Sequence, residues 1–159
     1  MITFNSQLYR IVNYIDCSLE QKTDIFNLRN DPEMRKWAAD PRELSLGEHL
    51  DFIEKLKGNN NKYYFAVYKD DVIIGSYNLH RVSGTTWERG IFSSPLVQGK
   101  GMTADWESLI LSSLPRDTFK KIVAEVRINN PRSLRYHEKM GFIETGRDKD
   151  YVYYKKELD

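Results

Sequence analysis

The spacing of apolar residues changes several times along the chain, and each change predicts an element. "ITFNSQLYRIV" sets β-branched and aromatic residues around a polar centre and predicts an early strand or hairpin. In "LEQKTDIFNLRNDPEMRKWA", Leu19, Ile25 and Leu28 fall roughly on one helical face, and Pro32 interrupts the pattern. "LSLGEHLDFIEKLKG" predicts a second helix. Ser45 can cap it with Glu48 closing a capping box, Leu46, Leu50, Ile53 and Leu56 make its stripe, and Gly58 ends it. The period then falls to two in "KYYFAVY" (62–68), "DVIIGSYNLHRV" (71–82) and "TWERGIF" (86–92). The turns "KDD" and "SGT" make these an antiparallel meander. "TADWESLILSSL" (103–114) predicts a helix stopped by Pro115, and "KKIVAEVRI" (120–128) a strand. "PRSLRYHEKMGF" predicts a helix with Pro131 in its first turn and Gly141 at its end. "FIETG" and "DYVYYKKEL" close the chain as strands. Strands interleaved with helices in this order predict a mixed α/β fold around one central sheet.

Composition narrows the classes. A chain of 159 residues suits one domain, and a formal net charge of +1 with interspersed signs lacks the basic balance of a nucleic-acid binder. Cys17 is the only cysteine, so neither an internal disulfide nor a cysteine zinc cluster is expected, which fits a reducing cytoplasm. No apolar run is long enough to span a membrane, and "MITFNSQLYRIVNYID" has neither the basic start nor the cleavage site of a secretory leader.

The segment "SSPLVQGKGMTADWESLI" carries the first chemistry. Two glycines flank Lys100 where a strand hands over to a helix. Unpaired amides and the helix dipole meet at such an entrance, and glycines let a phosphate approach the backbone. Gln98 and Lys100 stand ready to add side-chain contacts. The loop is neither a Walker loop nor a full dinucleotide fingerprint.

A second segment, "AEVRINNPRSLRYHEKMGFIETG", follows at a fixed remove. Gln98-Gly99-Lys100-Gly101-Met102-Thr103, Asn130-Pro131-Arg132-Ser133 and Glu138-Lys139-Met140-Gly141-Phe142 together resemble the GNAT superfamily of N-acetyltransferases. Threonine at 103 replaces the family's small residue. The resemblance implies a GNAT-like fold: a central, mostly antiparallel sheet, helices on both faces, and a splayed strand pair holding acetyl-coenzyme A. It implies that Ile91, Phe92 and Ser93 hold the pantetheine arm by their backbone. The diphosphate would rest on the amides of Gly99, Lys100, Gly101, Met102 and Thr103. Asn130 would bond the coenzyme, and Arg132 or Arg135 would meet a phosphate. No metal is called for.

In many members a tyrosine before the glutamate of the second motif protonates the departing thiolate. That position is His137 here. Tyr136 lies one step away, about 100° round the helix, and is not expected to reach the same point. His137 is therefore the candidate acid, against a thiolate that leaves unaided. Glu88, on the strand entering the site, is the candidate base through water, with His80 or solvent as rivals. "LRNDPEMRKWAADPRELSLGEHLDFIEKLK" is similar to a branch that includes an acetyltransferase of a UDP-linked amino sugar, a pattern shared loosely by relatives acting on other amines. That implies an acceptor region built from Arg29, Asn30, Trp37, His49, Tyr77 and His80. A UDP-linked dideoxy amino sugar is the expected small-molecule partner. A polyamine, a protein N-terminus and a non-catalytic acyl-coenzyme A sensor remain as alternatives, and a homodimer is left open.

Overall fold

The alternating segments pair into one seven-stranded sheet. In chain order its strands are β1 (Arg10–Asn13), β2 (Lys62–Lys69), β3 (Val72–Ser83), β4 (Thr86–Ser93), β5 (Lys121–Arg127), β6 (Ile143–Arg147) and β7 (Tyr151–Glu157). Their order across the sheet is β1-β2-β3-β4-β5-β7-β6. Every neighbouring pair is antiparallel except β4 and β5. The computed structural model describes residues 2–38 and 40–159.

The helices are α1 (Leu19–Asn30), α2 (Pro32–Arg35), α3 (Leu46–Leu56), α4 (Met102–Ser113) and α5 (Pro131–Lys139). The period-two alternation of the strands divides them between the two faces. Phe65 and Val67 of β2 join the core with Trp106 and Ile110 of α4, whereas Ala66 and Tyr68 pack with Ile25 of α1 and Ile53 of α3. Trp87, Trp106, Tyr77 and Phe65 are fully buried, and each such side chain is worth roughly 1.5–3 kcal/mol of burial. Gly75 makes the α4 contact close: a Cβ there would stand 2.7 Å from the Trp106 ring.

Three expectations need adjustment. The N-terminal stretch is a strand only over Arg10–Asn13, because Ser6 Oγ accepts from the amides of Leu8 and Tyr9 and turns the chain first. The first helical pattern is two helices. Asp31 precedes proline, which disfavours the α region, and it sits at φ −58°, ψ 127°. Its side chain then caps α2 through the Glu33 amide at 2.8 Å. Leu19 does not belong to the buried face, being 66 % exposed. The capping box of Ser45 and Glu48 forms as expected. Among the described residues, no helix is long and apolar enough to cross a membrane, and no cluster of three His, Cys, Asp or Glu is arranged for a metal.

Candidate active site

Strands β4 and β5 pair only from Thr86–Glu88 to Lys121–Val123. Beyond Glu88, β4 stays paired to β3 through Ser93, and β5 stays paired to β7 through Arg127. The edge of β4 that faces β5 therefore has no ladder partner over residues 89–93. Backbone N–H and C=O groups left this way are a template for an extended ligand that adds like a strand. A cleft of about 630 Å³ opens here. Ile91, Phe92 and Ser93 form one wall, and Asn130, Ser133 and Tyr136 form the other.

The floor is the glycine loop. Gly99 and Gly101 sit at φ 80° and 76°, the left-handed region that favours glycine. Gly101 is the N-cap of α4 and gives it no side-chain cap. Among the described residues the other α-helices are capped: α1 by Ser18, α2 by Asp31, α3 by Ser45 and α5 by Asn130. The first-turn amides of α4 are thus left for an anion, with the helix dipole behind them. Thr103 ties the loop to β4, its hydroxyl bonded to that of Ser93. Gln98 donates to the Ser93 carbonyl at 3.2 Å and accepts from Arg132 at 3.3 Å, so both span the cleft mouth. Gly99, Gly101, Thr103, Gln98, Asn130 and Arg132 all line the cleft. Lys100 and Met102 do not: the Lys100 side chain is exposed, and Met102 packs against the core. Asn130 spends its side-chain oxygen on the Ser133 amide at 3.3 Å.

A buried ionic network underlies the splay. Arg89 follows the last paired residue of β4 and lies beneath the sheet between α4 and α5. Its Nε and Nη2 donate to the Glu107 carboxylate at 2.6 and 2.8 Å. The same carboxylate accepts from Tyr77 at 2.5 Å and Tyr136 at 2.8 Å. Arg89 Nη1 donates to His137 Nε2 at 2.6 Å, and His137 Nδ1 donates to the Ser133 carbonyl at 2.7 Å. These bonds fix His137 as a neutral imidazole. Burial, and then the positive charge of Arg89, push its pKa down to about 4.

That corrects the acid assignment. His137 is 2 % exposed, its one N–H is held by the Ser133 carbonyl and its other nitrogen accepts from Arg89, so it offers no proton to a thiolate in the cleft. Tyr136, set aside on the rotation argument, is the residue that borders the cleft. Burial and Glu107 raise its phenol pKa well above the usual range, so it is a weak acid as well. Tyr77 is corrected too: it is fully buried on the α4 face and bonds Glu107 instead of facing an acceptor. Arg89 and Glu107 were missed. The available signal was a charge at an apolar-phase position in each element, Arg89 between Trp87 and Ile91 and Glu107 beside Trp106.

The opposite face of the same strands is open. Glu88 is exposed and lies across from His80 in the β3–β4 register. His80 Nε2 bonds the Tyr64 hydroxyl at 2.7 Å. Burial and Lys62 lower the His80 pKa, while Glu88 works the other way. Arg29 is half-buried on α1, and its charge reaches Tyr14, Tyr64 and His49. Trp37, 39 % exposed, lines the cleft beside Lys36.

Two acceptor candidates have structural work instead. Asn30 clamps the segment after α2, donating to the Leu44 carbonyl at 2.9 Å and accepting from its amide at 3.0 Å. His49 is 1 % exposed and fastens α3 to α1, its Nε2 donating to the Lys22 carbonyl at 3.1 Å. Burial and Arg29 push its pKa down to about 4.

A parallel strand pair that parts over an uncapped helix entrance defines a class. The GNAT acetyltransferase domain model matches residues 18–143, and the chain belongs to this family of enzymes, whose acetyl donor is acetyl-coenzyme A. Particular relatives refine the likeness. The chain is 26 % identical to the Acetyltransferase PseH of Campylobacter jejuni over 148 residues, 92 % of each chain. The crystal structure of that species' N-acetyltransferase PseH superposes with a TM-score of 0.74 at 22 % identity, covering 96 % of this chain and 99 % of the other. A spermidine N-acetyltransferase from Vibrio cholerae, solved with CoA and spermine, superposes with a TM-score of 0.82 at 21 % identity, over 96 % and 97 % of the chains.

Proposed function

We propose that this enzyme moves acetyl from acetyl-coenzyme A to the 4-amino group of a UDP-linked dideoxy amino sugar, a step of the kind used in pseudaminic acid synthesis. The observation that carries the acceptor is the positive charge of the cleft beyond the Arg132 given to the coenzyme. Lys36, Arg132, Arg135 and Lys139 line it, against the single carboxylate of Glu33, which is paired with Lys36. Such a lining suits ligands that bring phosphates, and it repels a polycation. The resemblance to PseH at 26 % identity points the same way.

The chain's own residues then divide the labour. Amides of the 99–103 loop and Arg132 would hold the diphosphate, and the free edge of β4 would hold the pantetheine arm. A backbone N–H on that edge would polarise the thioester oxygen. Glu88 would take the proton from the attacking amine through water, with His80 as the rival. The amine attacks directly, and the thiolate leaves without a strong side-chain acid. A single reduced cysteine fits a cytoplasmic setting.

A polyamine acceptor is the second reading. It is favoured by the carboxylates of Glu88, Glu125 and Asp148 on the open face. Burial first, then Glu88 and Asp148, raise the Glu125 pKa. A thiol-release assay with an amine panel separates the readings. Release with the UDP-amino sugar and none with spermidine supports the first. The reverse favours the second, and tight coenzyme binding with no release from any amine favours a sensor.

A further inference from the structure

The ladder between β4 and β5 stops at Glu88, and the next residue is the one that reaches across to both neighbouring helices. Arg89 grips Glu107 on α4 with two nitrogens and His137 on α5 with the third. Glu107 in turn holds Tyr77 on β3 and Tyr136 on α5. Four elements thus meet on one buried pair, whose side chains are 1 % and 0 % exposed. The rings of Phe142 and Tyr77 lie 4.7 and 5.8 Å from the Arg89 guanidinium. His137 stacks on Tyr154 of β7 at 5.3 Å. Of the groups in this cluster, the Tyr136 side chain also lines the cleft.

A hydrophobic filling would serve stability at least as well as a dry ion pair. A hydrogen-bonded pair of fixed geometry adds direction instead, because a bidentate guanidinium fork tolerates little displacement. We infer that Arg89 and Glu107 are positioning residues for acetyl transfer: their pairing sets the separation of β4 from α5 where the strands part, and fixes Tyr136 as the cleft wall along which the thioester arm lies. Neither group touches the acceptor. The inference rests on the reading of this cleft as the acetyl-coenzyme A site.

The test is steady-state kinetics of Arg89→Lys, Glu107→Asp and Tyr136→Phe, with thermal midpoints recorded beside them. The first two keep both charges and lose the fork geometry. Tyr136→Phe leaves the charge pair intact and removes one bond to the cleft wall. The expected result is a fall of at least tenfold in kcat/KM for acetyl-coenzyme A in Arg89→Lys and Glu107→Asp, and of about threefold in Tyr136→Phe, carried by a rise in KM for acetyl-coenzyme A, with KM for the amine unchanged. A merely structural pair would lower the active fraction and leave both KM values at wild type. That pattern, or wild-type kinetics in the variants that fold, overturns the inference. Should Arg89→Lys and Glu107→Asp not fold, Tyr136→Phe decides alone, and a wild-type kcat/KM in it overturns the inference. Titration of the wild type with coenzyme A separates the two readings: binding that leaves residues 89–93 unperturbed overturns the cleft assignment itself.

Discussion

The two faces of strand β4 treat their side chains in opposite ways. Trp87 and Arg89 point to the α4 side, where both are buried and Arg89 is bonded through all its nitrogens. Glu88, between them, points to the side of α1 and α3 and is exposed. One residue of register separates a fixed charge from a free one. On the division of labour proposed above, the buried face holds the shape of the gap, and the open face keeps an exposed carboxylate.

The largest expected effect comes from the floor on which both faces depend. Gly101→Val forces a β-branched residue into φ 76° at an uncapped helix entrance. KM for acetyl-coenzyme A should rise by at least about fiftyfold through lost loop geometry, with the amine KM unchanged. Steady-state kinetics at saturating amine checks this. A wild-type KM would remove the loop from the site.

Next, Glu88→Gln should lower kcat more than about tenfold below neutral pH, where little amine is already free, with coenzyme affinity unchanged. Calorimetry and a pH–rate profile together read this out. If the rate holds, the role passes to His80 or to solvent, and the free charge of β4 has no catalytic duty.

A smaller effect separates the buried face from acid chemistry. His137→Phe leaves Arg89 Nη1 without a partner, which costs about 1–3 kcal/mol of stability. The pH dependence of kcat should keep its shape, because a neutral imidazole donates nothing to the thiolate. A lost alkaline limb would restore His137 as an acid.

The smallest is a pH effect on folding. His49 and His137 titrate near 4 in the fold against 6.5 for a free imidazole. Between those values the unfolded chain binds more protons, so their contribution is whole above pH 6.5 and is lost as pH falls toward 4. Each is worth at most about 3 kcal/mol. Urea unfolding at pH 7.5, 5.5 and 4.5 should show the decline, and His49→Leu should flatten part of it. A parallel decline in the variant would assign the loss elsewhere.

What the sequence revealed and what it hid follow the same division. The meander, the Ser45 capping box, Pro131 at the head of α5 and the loop at 99–103 were legible, because each rests on neighbours in the chain. The pairing of Arg89 with Glu107 joins a strand to a helix, and no local spacing announces it. Tyr136 and His137 exchanged their expected places because a one-step rotation shows only that two residues face differently. Which of them faces the core depends on Arg89, from another element. Asn30 and His49 looked like ligands for the same reason, but Leu44 engages both ends of the Asn30 amide and the Lys22 carbonyl takes His49 Nε2, while His49 Nδ1 stays buried without a partner.

The most direct test is an amide chemical-shift titration of the wild type with coenzyme A. The largest changes should fall at residues 99–104 and along 89–93, the uncapped helix entrance and the unpaired strand edge. Saturable binding whose shifts lay elsewhere, or no binding at millimolar coenzyme, would contradict the account.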